Sequence, residues 1–439
     1  MKKVLLCLVL QWCLLTGTNG QSFQDVEPIF LQKCATCHRS GDAAPFPLQT
    51  YEDIVKRISF IKKVITTGYM PPWQADAHYR SFANERRLSS QEKKMIVNWI
   101  EAKAPKGNYQ KKSAQITRLL REQTAYHRSP DLTLQIDTTF HLVGDTKERF
   151  VVFQIPMDLP KDQAIEGVEF YTNNKKIIHH VNYGFYKVDD PSVDINQGAK
   201  VINTTDDPNT PSLLQQQKKL KQHMVYYTGW IPGTSVESYP KTFGWTLPKR
   251  GVILLTVHYS ALAADEESIV GVNLFFQKTP IQRTVKVISL GSGGIGEKDI
   301  TPPLLLLPGD RSKHHLQVQT KEDQSLLYVW PHMHYLGTSF TAYAVTPQQD
   351  TIPLVRIAKW DFRWQELYRF KELIKVPKGS VIHLDCSYDN TEDNPYNPNS
   401  PPATVFSFGD MDSKNEMMTL LLIYTPYKPG DEELDLENH

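Results

Sequence analysis

Two histidines separated by one residue lie in an apolar stretch of the second half of the chain and could hold a metal ion. They are His332 and His334 of WPHMHYLG, inside the run Leu326 to Tyr343, which the pattern predicts to be a β-strand. Residues i and i+2 of a strand point to one face, so both imidazoles can reach one ion. Two solvated histidines on an edge strand are the alternative, and the pair alone does not decide between them.

Three further histidines occupy segments that the pattern also predicts to be strands, namely His179 and His180 in KKIIHHVNYGFY and His258 in ILLTVHYS. Neighbouring side chains of a strand face opposite ways. His179 and His180 can therefore share one ion only at a strand end or a β-bulge, or through different ring nitrogens. A lone strand histidine such as His258 is more often structural. Three imidazoles without thiolate or carboxylate would suit copper or zinc.

A third set of candidate ligands lies near the N-terminus. Cys34, Cys37 and His38 form CATCH, the C-x-x-C-H pattern in which two thioethers fix a haem and the histidine binds its iron. Met70 precedes two prolines in GYMPPW, on a stiffened loop, and is the predicted sixth iron ligand. The alternatives are a chance pentapeptide or a redox dithiol for CATCH, and a core methionine for Met70. The pattern favours a covalent haem c.

The length and composition of the chain limit the number of domains and the class of partner. A chain of 439 residues is too long for one ordinary core and should hold two or three domains. A net charge of +1 with 22% charged residues gives no sign of nucleic-acid binding or of disorder. We therefore expect small molecules or other proteins as partners.

Residues 1–20 have the composition of an export signal. Lys2 and Lys3 precede the apolar stretch Val4 to Leu15, and small residues follow, so Gln21 is the expected mature start. An uncleaved anchor is the alternative, although the stretch is short for a membrane span. No later segment is long and apolar enough to cross a membrane. The mature protein is predicted to be periplasmic or otherwise extracytoplasmic in a bacterium.

The cysteines exclude a disulfide framework. Cys7 and Cys13 would leave with the signal, and the mature chain would keep Cys34, Cys37 and Cys386. An exported domain built on disulfides has more cysteines than this. The mature protein is therefore predicted to be disulfide-free.

The region around CATCH carries helical periodicity. Apolar residues recur at helical spacing before the first cysteine, from Tyr51 to Thr66, and after the capping box Ser89 to Glu92. With this order of elements, residues 22–107 resemble a class I cytochrome c domain. The phrases APFPL and MPPW resemble the haem domains joined to bacterial copper monooxygenases. We expect a small all-α cytochrome c domain, followed by a polar linker at 108–130.

After Pro130 short β-branched and aromatic runs alternate with Pro, Gly, Asn and Asp clusters. This pattern of short strands and turns predicts two tandem antiparallel β-sandwich domains, at 131–291 and 292–428. Asn209 to Gln222 is polar and predicted to be a surface helix or lid. The acidic tail, 429–439, is predicted to be disordered and solvated.

The histidines and a methionine, taken in chain order, carry a second resemblance. Residues from about 130 to 427 resemble the copper type II, ascorbate-dependent monooxygenases. The resemblance implies an electron-transfer copper on His179, His180 and His258, and an oxygen-activating copper on His332, His334 and a methionine. Met417, after Glu416 in NEMMTLLLIY, matches that methionine, with the adjacent Met418 as the rival. In the family the two copper ions face each other across an open cleft.

Some positions depart from the family. The peptide-hydroxylating members hold a substrate carboxylate with an Arg and a Tyr at the positions of Trp330 and Leu421, so the expected substrate is apolar or aromatic. The family's disulfides are also missing. Cys386 matches one half of a bridge whose partner position is Met418, and a buried, inert thiol is its expected role.

The expected function is that of a copper-dependent monooxygenase that hydroxylates a C–H bond of a small organic substrate with O2. The expected cofactors are two copper ions and a covalent haem c. An external donor, either an ascorbate-like reductant or a redox protein, would supply electrons through the haem to the first copper and then to the second. The alternative is a non-enzymatic periplasmic protein that transfers electrons or binds copper.

Overall fold

The computed structural model describes residues 21–108, 128–221, 223–234, 236–407 and 415–436. The predicted export signal, most of the predicted linker and the last three residues lie outside these ranges. The described residues contain five α-helices: α1 (Phe23–Lys33), α2 (Tyr51–Val55), α3 (Ile58–Thr67), α4 (Ser90–Glu101) and α5 (Thr210–Gln217). None of these helices is both long and apolar enough to span a lipid bilayer.

Fourteen strands lie among the described residues before residue 292, and all except the last, which joins a sheet of the second half, surround the first core. They are β1 (Leu132–Gln135), β2 (Phe140–Leu142), β3 (Arg149–Asp158), β4 (Gln163–Thr172), β5 (Ile178–Lys187), β6 (Val201–Asn203), β7 (His223–Trp230), β8 (Glu237–Ser238), β9 (Phe243–Leu247), β10 (Arg250–Tyr259), β11 (Glu266–Ser268), β12 (Val270–Phe276), β13 (Arg283–Thr284) and β14 (Lys286–Gly291). One sheet has the order β1-β12-β4-β9-β13, with β8 beside β4, and another has the order β6-β3-β10-β5-β7. Their buried side chains form the first core.

The later strands surround a second core. They are β15 (Ile295–Gly296), β16 (Leu305–Leu306), β17 (Arg311–Gln319), β18 (Gln324–His332), β19 (Gly337–Val345), β20 (Thr351–Ile357), β21 (Tyr368–Val376), β22 (Val381–Asp389), β23 (Val405–Phe406) and β24 (Thr419–Pro426). The two main sheets have the orders β15-β14-β24-β18-β21 and β17-β22-β19-β20. Leu327, Trp330 and Leu421 of the first of these sheets also pack into the first core. The two halves of the molecule are therefore in apolar contact.

The predicted fold class is wrong, because the chain is mostly β-strand and contains no all-α cytochrome c domain in its described residues. The four N-terminal helices are short and are separated by turns and extended segments. Ala75 forms a β-bridge with Ile357, and Ala75 and Phe82 are buried in the second core rather than in a helical one. Helical periodicity cannot reveal such contacts with residues almost 300 positions away.

The helix predicted from Tyr51 to Thr66 is two helices, α2 and α3, interrupted at Lys56 and Arg57. Arg57 has φ −131° and ψ 13°, outside the helical region, and α3 restarts after it. Because the isoleucines keep their spacing across the break, the apolar pattern alone predicts one continuous helix.

The N-terminal region is anchored on the second half through residues 73–87. The rings of Trp73 and Tyr368 meet edge to face with centroids 5.1 Å apart. Arg86 forms a buried ion pair with Glu366. Its other guanidinium nitrogen donates to the carbonyl oxygen of Gly233 in the first half, at 2.9 Å. The N-terminal region therefore contacts both β-rich halves.

Residues 429–436 of the acidic tail are held against the sheets, contrary to the prediction. Asp431 is buried and accepts hydrogen bonds from Arg283 at 2.5 and 2.6 Å and from Ser325 at 2.6 Å. Leu436 is buried in the first core. A buried carboxylate paired in this way holds the tail to the sheets, which its acidic composition does not indicate.

Candidate metal centres

The two adjacent histidines of the first half lie at a β-bulge. His180 of β5 pairs with His258 of β10, and the next pairing joins Ile178 to Tyr259, so His179 is the extra residue. A bulge turns a side chain that strand alternation would send to the opposite face. His179 and His180 can therefore both approach His258. A β-bulge was one of the arrangements that the sequence allowed.

The Nδ1 atoms of these three imidazoles converge. Nδ1 of His180 lies 3.0 Å from Nδ1 of His179 and 3.4 Å from Nδ1 of His258. Each residue offers a ligand atom within 4.8 Å of those of the other two. Two nitrogens bound to one ion at about 2.0–2.1 Å lie roughly 3 Å apart. The spacing therefore fits three donors around one metal ion.

Burial keeps the three imidazoles neutral. His258 and His180 are 0% and 1% exposed. Burial and then the neighbouring His258 lower the pKa of His179 to about 3, and the same causes hold the pKa of His180 well below its usual value. Burial also lowers the pKa of His258, although Glu148 opposes that shift. A neutral imidazole has a lone pair for a metal, so the group is in its ligand form.

The carboxylate of Glu148 orients the His258 ring. Oε2 of Glu148 lies 3.1 Å from Nε2 of His258, and the ring stacks on Phe150 with centroids 4.0 Å apart. The hydrogen bond from His258 lowers the pKa of Glu148 to about 2. When Nε2–H donates to this carboxylate, Nδ1 keeps its lone pair towards His180. Sequence reasoning missed Glu148, because a charged residue in a polar loop gives no signal.

The predicted single strand around His332 and His334 is two strands in different sheets. β18 ends at His332, which pairs with Thr419 of β24, and a turn leads to β19 in the other sheet. Strand alternation therefore does not place the two rings. They nevertheless lie together, both buried, with centroids 5.1 Å apart and planes at 89°.

Their ring nitrogens are suited to a metal ligand. Nδ1 of His334 lies 2.7 Å from the carbonyl oxygen of Asn415, so Nδ1–H donates and Nε2 keeps its lone pair. Burial, then His334, lowers the pKa of His332 to about 3. Nδ1 of His332 is buried without a hydrogen-bond partner in the described part of the chain. Such a nitrogen is costly unless a ligand or water satisfies the ring.

Glu416 joins the turn after His334 to the methionine pair. Its buried carboxylate accepts hydrogen bonds from the backbone N–H groups of His334, Leu336 and Met417, the last two at 2.9 and 2.8 Å. Burial raises the pKa of Glu416 to about 7, although these donors favour the charged form. One side chain thus fixes His334 relative to Met417.

A cavity of about 300 Å³ opens beside the second pair of histidines. His332 and Met417 both line this cavity, whereas Met418 is fully buried in the second core. Trp330 and Leu421, the positions that depart from the peptide-hydroxylating enzymes, line it as well. The remaining wall comes largely from the first half and includes Asn182, Tyr186, Met224, Tyr227, Leu254 and, from α5, Leu214. The cavity therefore lies between the two halves.

The residues of the CxxCH pattern line a second, largely apolar pocket of about 410 Å³, together with Met70, Pro71 and Pro72. Nδ1 of His38 lies 2.9 Å from the carbonyl oxygen of Phe46, so Nδ1–H donates and Nε2 is left for a ligand. Burial raises the pKa of the Cys34 thiol to about 12 and that of Cys37 in the same direction. Redox dithiols have lowered thiol pKa values, so this pocket does not suit thiol exchange.

Cys386 is buried and free in the second core, and burial raises its thiol pKa well above the usual value. Met418 occupies the same core. A thiol in this state is unreactive, as the sequence led us to expect.

One aromatic ring contacts both groups of histidines. The centroid of Phe362 lies 5.3, 6.1 and 5.8 Å from those of His180, His179 and His258, and 5.7 Å from that of His334. The two groups are therefore neighbours with a buried side chain in contact with both. The sequence analysis missed Phe362, although the unusual aromatic alternation Trp360, Phe362, Trp364 was a signal.

The described residues bring together one set of three imidazoles and a second set of two imidazoles beside a cavity that Met417 also lines, and this combination of donors would suit copper. Residues 313–427 match the family model described as "Copper type II ascorbate-dependent monooxygenase, C-terminal domain". The matched segment contains His332, His334 and Met417. The likeness to that family is therefore shown for this segment of the chain.

The other comparisons add little. No curated protein gives a significant match. Among solved structures, the chain is similar to the major capsid protein P2 from bacteriophage PM2, with 7% identity over 68% of this chain and 99% of that one and a TM-score of 0.22. An allantoicase gives 10% identity over 58% of this chain and 83% of the other, with a TM-score of 0.17. Similarities this weak carry no argument.

Proposed function

We propose that the protein is a copper-dependent monooxygenase that hydroxylates a C–H bond of a small organic substrate. One oxygen atom of O2 enters the C–H bond and the other becomes water, which consumes two electrons and two protons from outside. The observation that carries this proposal is the placement of His332 and Met417 on one cavity, inside the segment that matches the family. The three-histidine group nearby supplies a second, different donor set.

We assign the catalytic copper to His332, His334 and Met417. Two imidazoles and a soft, neutral thioether favour Cu(I), the state that reacts with dioxygen. Met417 lines the cavity with His332, and Met418 does not, which supports Met417 as the ligand. The chain's own contribution is to fix this set through Glu416 and to exclude bulk water by burial.

We assign the electron-transfer copper to His179, His180 and His258. A set of neutral imidazoles binds both oxidation states of copper, so this site can pass on one electron at a time. None of the three histidines lines the 300 Å³ cavity. This placement supports electron delivery rather than substrate contact at the first group.

The cavity favours an apolar or aromatic substrate with a few polar groups. Its walls include the rings of Tyr186, Tyr227 and Trp330, together with Met224 and Leu421. Asn182, Lys221 and several hydroxyl side chains supply polar contacts at intervals around it. A pocket whose walls combine apolar side chains with amide, hydroxyl and ammonium groups orients a substrate by shape and by those polar contacts.

We propose that the CxxCH pocket holds a covalent haem, bound through Cys34 and Cys37, with His38 and Met70 as iron ligands. The four residues line one apolar pocket, and Nε2 of His38 is left for iron by the bond from Nδ1 to Phe46. The haem would supply one-electron reduction. Electrons from an ascorbate-like reductant or a redox protein would enter there, and the exported, extracytoplasmic location predicted from residues 1–20 is part of this proposal.

The first test is metal content and turnover. Protein exported with haem attached, loaded with copper and freed of loose metal should contain about two copper ions per haem. The ratio should fall to about one in Met417→Ala and in His258→Ala. O2 consumption should then be coupled to a hydroxylated product in a screen of aromatic substrates. Copper near zero, or zinc in its place, would reject the enzyme and leave the non-enzymatic alternative.

The proposed transfer of electrons through the haem needs a separate test. Deletion of the N-terminal region would remove Ala75 and Phe82 from the second core, so haem-free Cys34→Ser/Cys37→Ser protein is the better variant. It should lose turnover driven by a redox protein and keep turnover driven by a small reductant. Equal loss with both reductants, or no loss with either, would contradict the route.

A further inference from the structure

The segment 361–366, between β20 and β21, touches all three candidate centres. We call it the coupling turn. The N–H of Trp364 donates to the carbonyl oxygen of Asp361 at 2.9 Å, which closes a turn. Within it, Phe362 and Trp364 are two residues apart. Their side chains contact different sites.

Phe362 lies on the side of the histidines. It is 5% exposed, and its ring is within 6.1 Å of all three imidazoles of the first group and of His334. Its centroid is 4.2 Å from that of Tyr335. The carbonyl oxygen of Phe362 accepts a hydrogen bond from the buried amide of Gln365 at 3.0 Å. The Phe362 ring is therefore packed against other aromatic rings, and a hydrogen bond holds the backbone of the same residue.

Trp364 lies on the side of the CxxCH pocket. It lines that pocket with Cys34, Cys37, His38 and Met70. The two ends of the turn are fixed to the N-terminal region, since Gln74 donates to the carbonyl oxygen of Asp361 at 2.9 Å and Arg86 pairs with Glu366. The turn is therefore held against the pocket from both ends.

We propose that the coupling turn is the electron path from the CxxCH pocket to the histidine groups, with Trp364 as the entry and Phe362 as the exit. The inference rests on the proposed haem and copper sites. Electron transfer through protein slows steeply with each gap between atoms, and here the two aromatic residues are joined by bonded backbone with only Arg363 between them. Each passage would move one electron, from a haem held in the pocket, which is oxidised, to a Cu(II) ion held by His179, His180 and His258, which is reduced.

Phe362 has a second role under this proposal, because it contacts His334 as well as the first group. The ring is almost fully buried and packs against His180 of the first group and against His334. Loss of the ring should therefore affect electron transfer between the coppers, whatever the source of the electrons. Loss of Trp364 should affect only electrons that arrive through the pocket.

The test compares Trp364→Leu, Trp364→Phe, Phe362→Leu and the control Phe370→Leu. Phe370 is a fully buried ring of the second core, packed on Phe82, and contacts none of the histidines by ring stacking. Haem and copper contents are measured first. The rate of haem oxidation by Cu(II) is then followed by absorbance in a single pass without substrate, and turnover is measured separately with a small reductant that acts directly at copper.

In Trp364→Leu, the rate of haem oxidation should fall about tenfold or more relative to turnover with the small reductant, with both rates divided by those of the parent. Trp364→Phe should keep most of the rate. Phe362→Leu should slow both measurements, and Phe370→Leu neither. A haem oxidation rate in Trp364→Leu within about twofold of the parent would overturn the path. If the protein contains no haem or no copper, the proposed function itself is wrong. The haem and copper contents, which are measured first, identify that outcome separately.

Discussion

The two histidine groups differ in how the fold holds them. His179, His180 and His258 are placed by strand pairing, since His180 and His258 lie opposite each other in β5 and β10 and a bulge supplies His179. His332 and His334 lie where the chain leaves one sheet for another, and the buried carboxylate of Glu416 fixes that turn. The first group rests on an extended ladder of hydrogen bonds, and the second depends on one side chain.

The two histidine groups also differ in their access to the cavity. His332 lines the 300 Å³ cavity with Met417, whereas the first group is covered by Phe150 and Phe362. A site that only transfers electrons works better when rigid and closed, while a site that reacts with substrate must open onto a cavity. This contrast supports the division of roles proposed above.

The largest expected effect separates the two methionines. Met417→Ala should lower turnover by about 100-fold or more, because the thioether is lost from the cavity side of the catalytic group. Met418→Leu should retain turnover and cost less than about 1.5 kcal/mol of stability, since it conserves volume in the core. Turnover and copper content of both variants decide the point. The reverse pattern would assign the ligand to Met418.

The dependence of the second group on Glu416 is tested by Glu416→Gln. The amide would place an N–H₂ group where backbone N–H donors converge, so at least one buried donor loses its partner, at a cost of about 1–3 kcal/mol. Unfolding by denaturant measures this cost. Copper should be lost from the second group before the first. Glu322→Gln, at a half-exposed carboxylate bonded to Lys286 and Tyr424, is the control and should change stability by less than about 1 kcal/mol.

The first group has its own supporting carboxylate, and Glu148→Gln tests it. Removal of the charge that orients His258 should weaken copper binding at the three-histidine group by about 10–100-fold. Competition with a chelator measures the affinity, and the second group should be unaffected. Equal weakening of both groups would show that the two sites are not supported independently.

The sequence identified the candidate ligands of both groups, and the adjacent pair His179 and His180 predicted the bulge or strand end that the structure shows. It favoured Met417 over Met418 only through the preceding Glu416, and the packing just before β24 places Met417, not Met418, at the cavity. Ligand chemistry is carried by residue type and spacing, which are local. The side that a residue faces depends on the sheets around it.

The N-terminal region shows where local patterns fail. Its apolar spacing predicted a separate all-α domain, yet Trp73 and Phe82 pack on Tyr368, far along the chain. Phe362 and Glu148 were missed for a related reason, since each acts by contact with distant residues. Pairing over such distances leaves no periodic trace in either segment.

The smallest expected effect concerns the contact that joins the two groups. The hydroxyl of Tyr335, next to His334, donates to Oε2 of Glu148 at 2.7 Å, and the same oxygen accepts from His258. Tyr335→Phe removes one solvent-exposed hydrogen bond to a charged group and should cost less than about 1 kcal/mol of copper-binding free energy. In a Glu148→Gln background, Tyr335→Phe should lower the copper affinity by less, because the charge that strengthens the hydrogen bond is absent. A double-mutant cycle on copper affinity at the three-histidine group measures the difference as an interaction free energy. A value indistinguishable from zero would mean that the groups share the Phe362 ring but not a polar link.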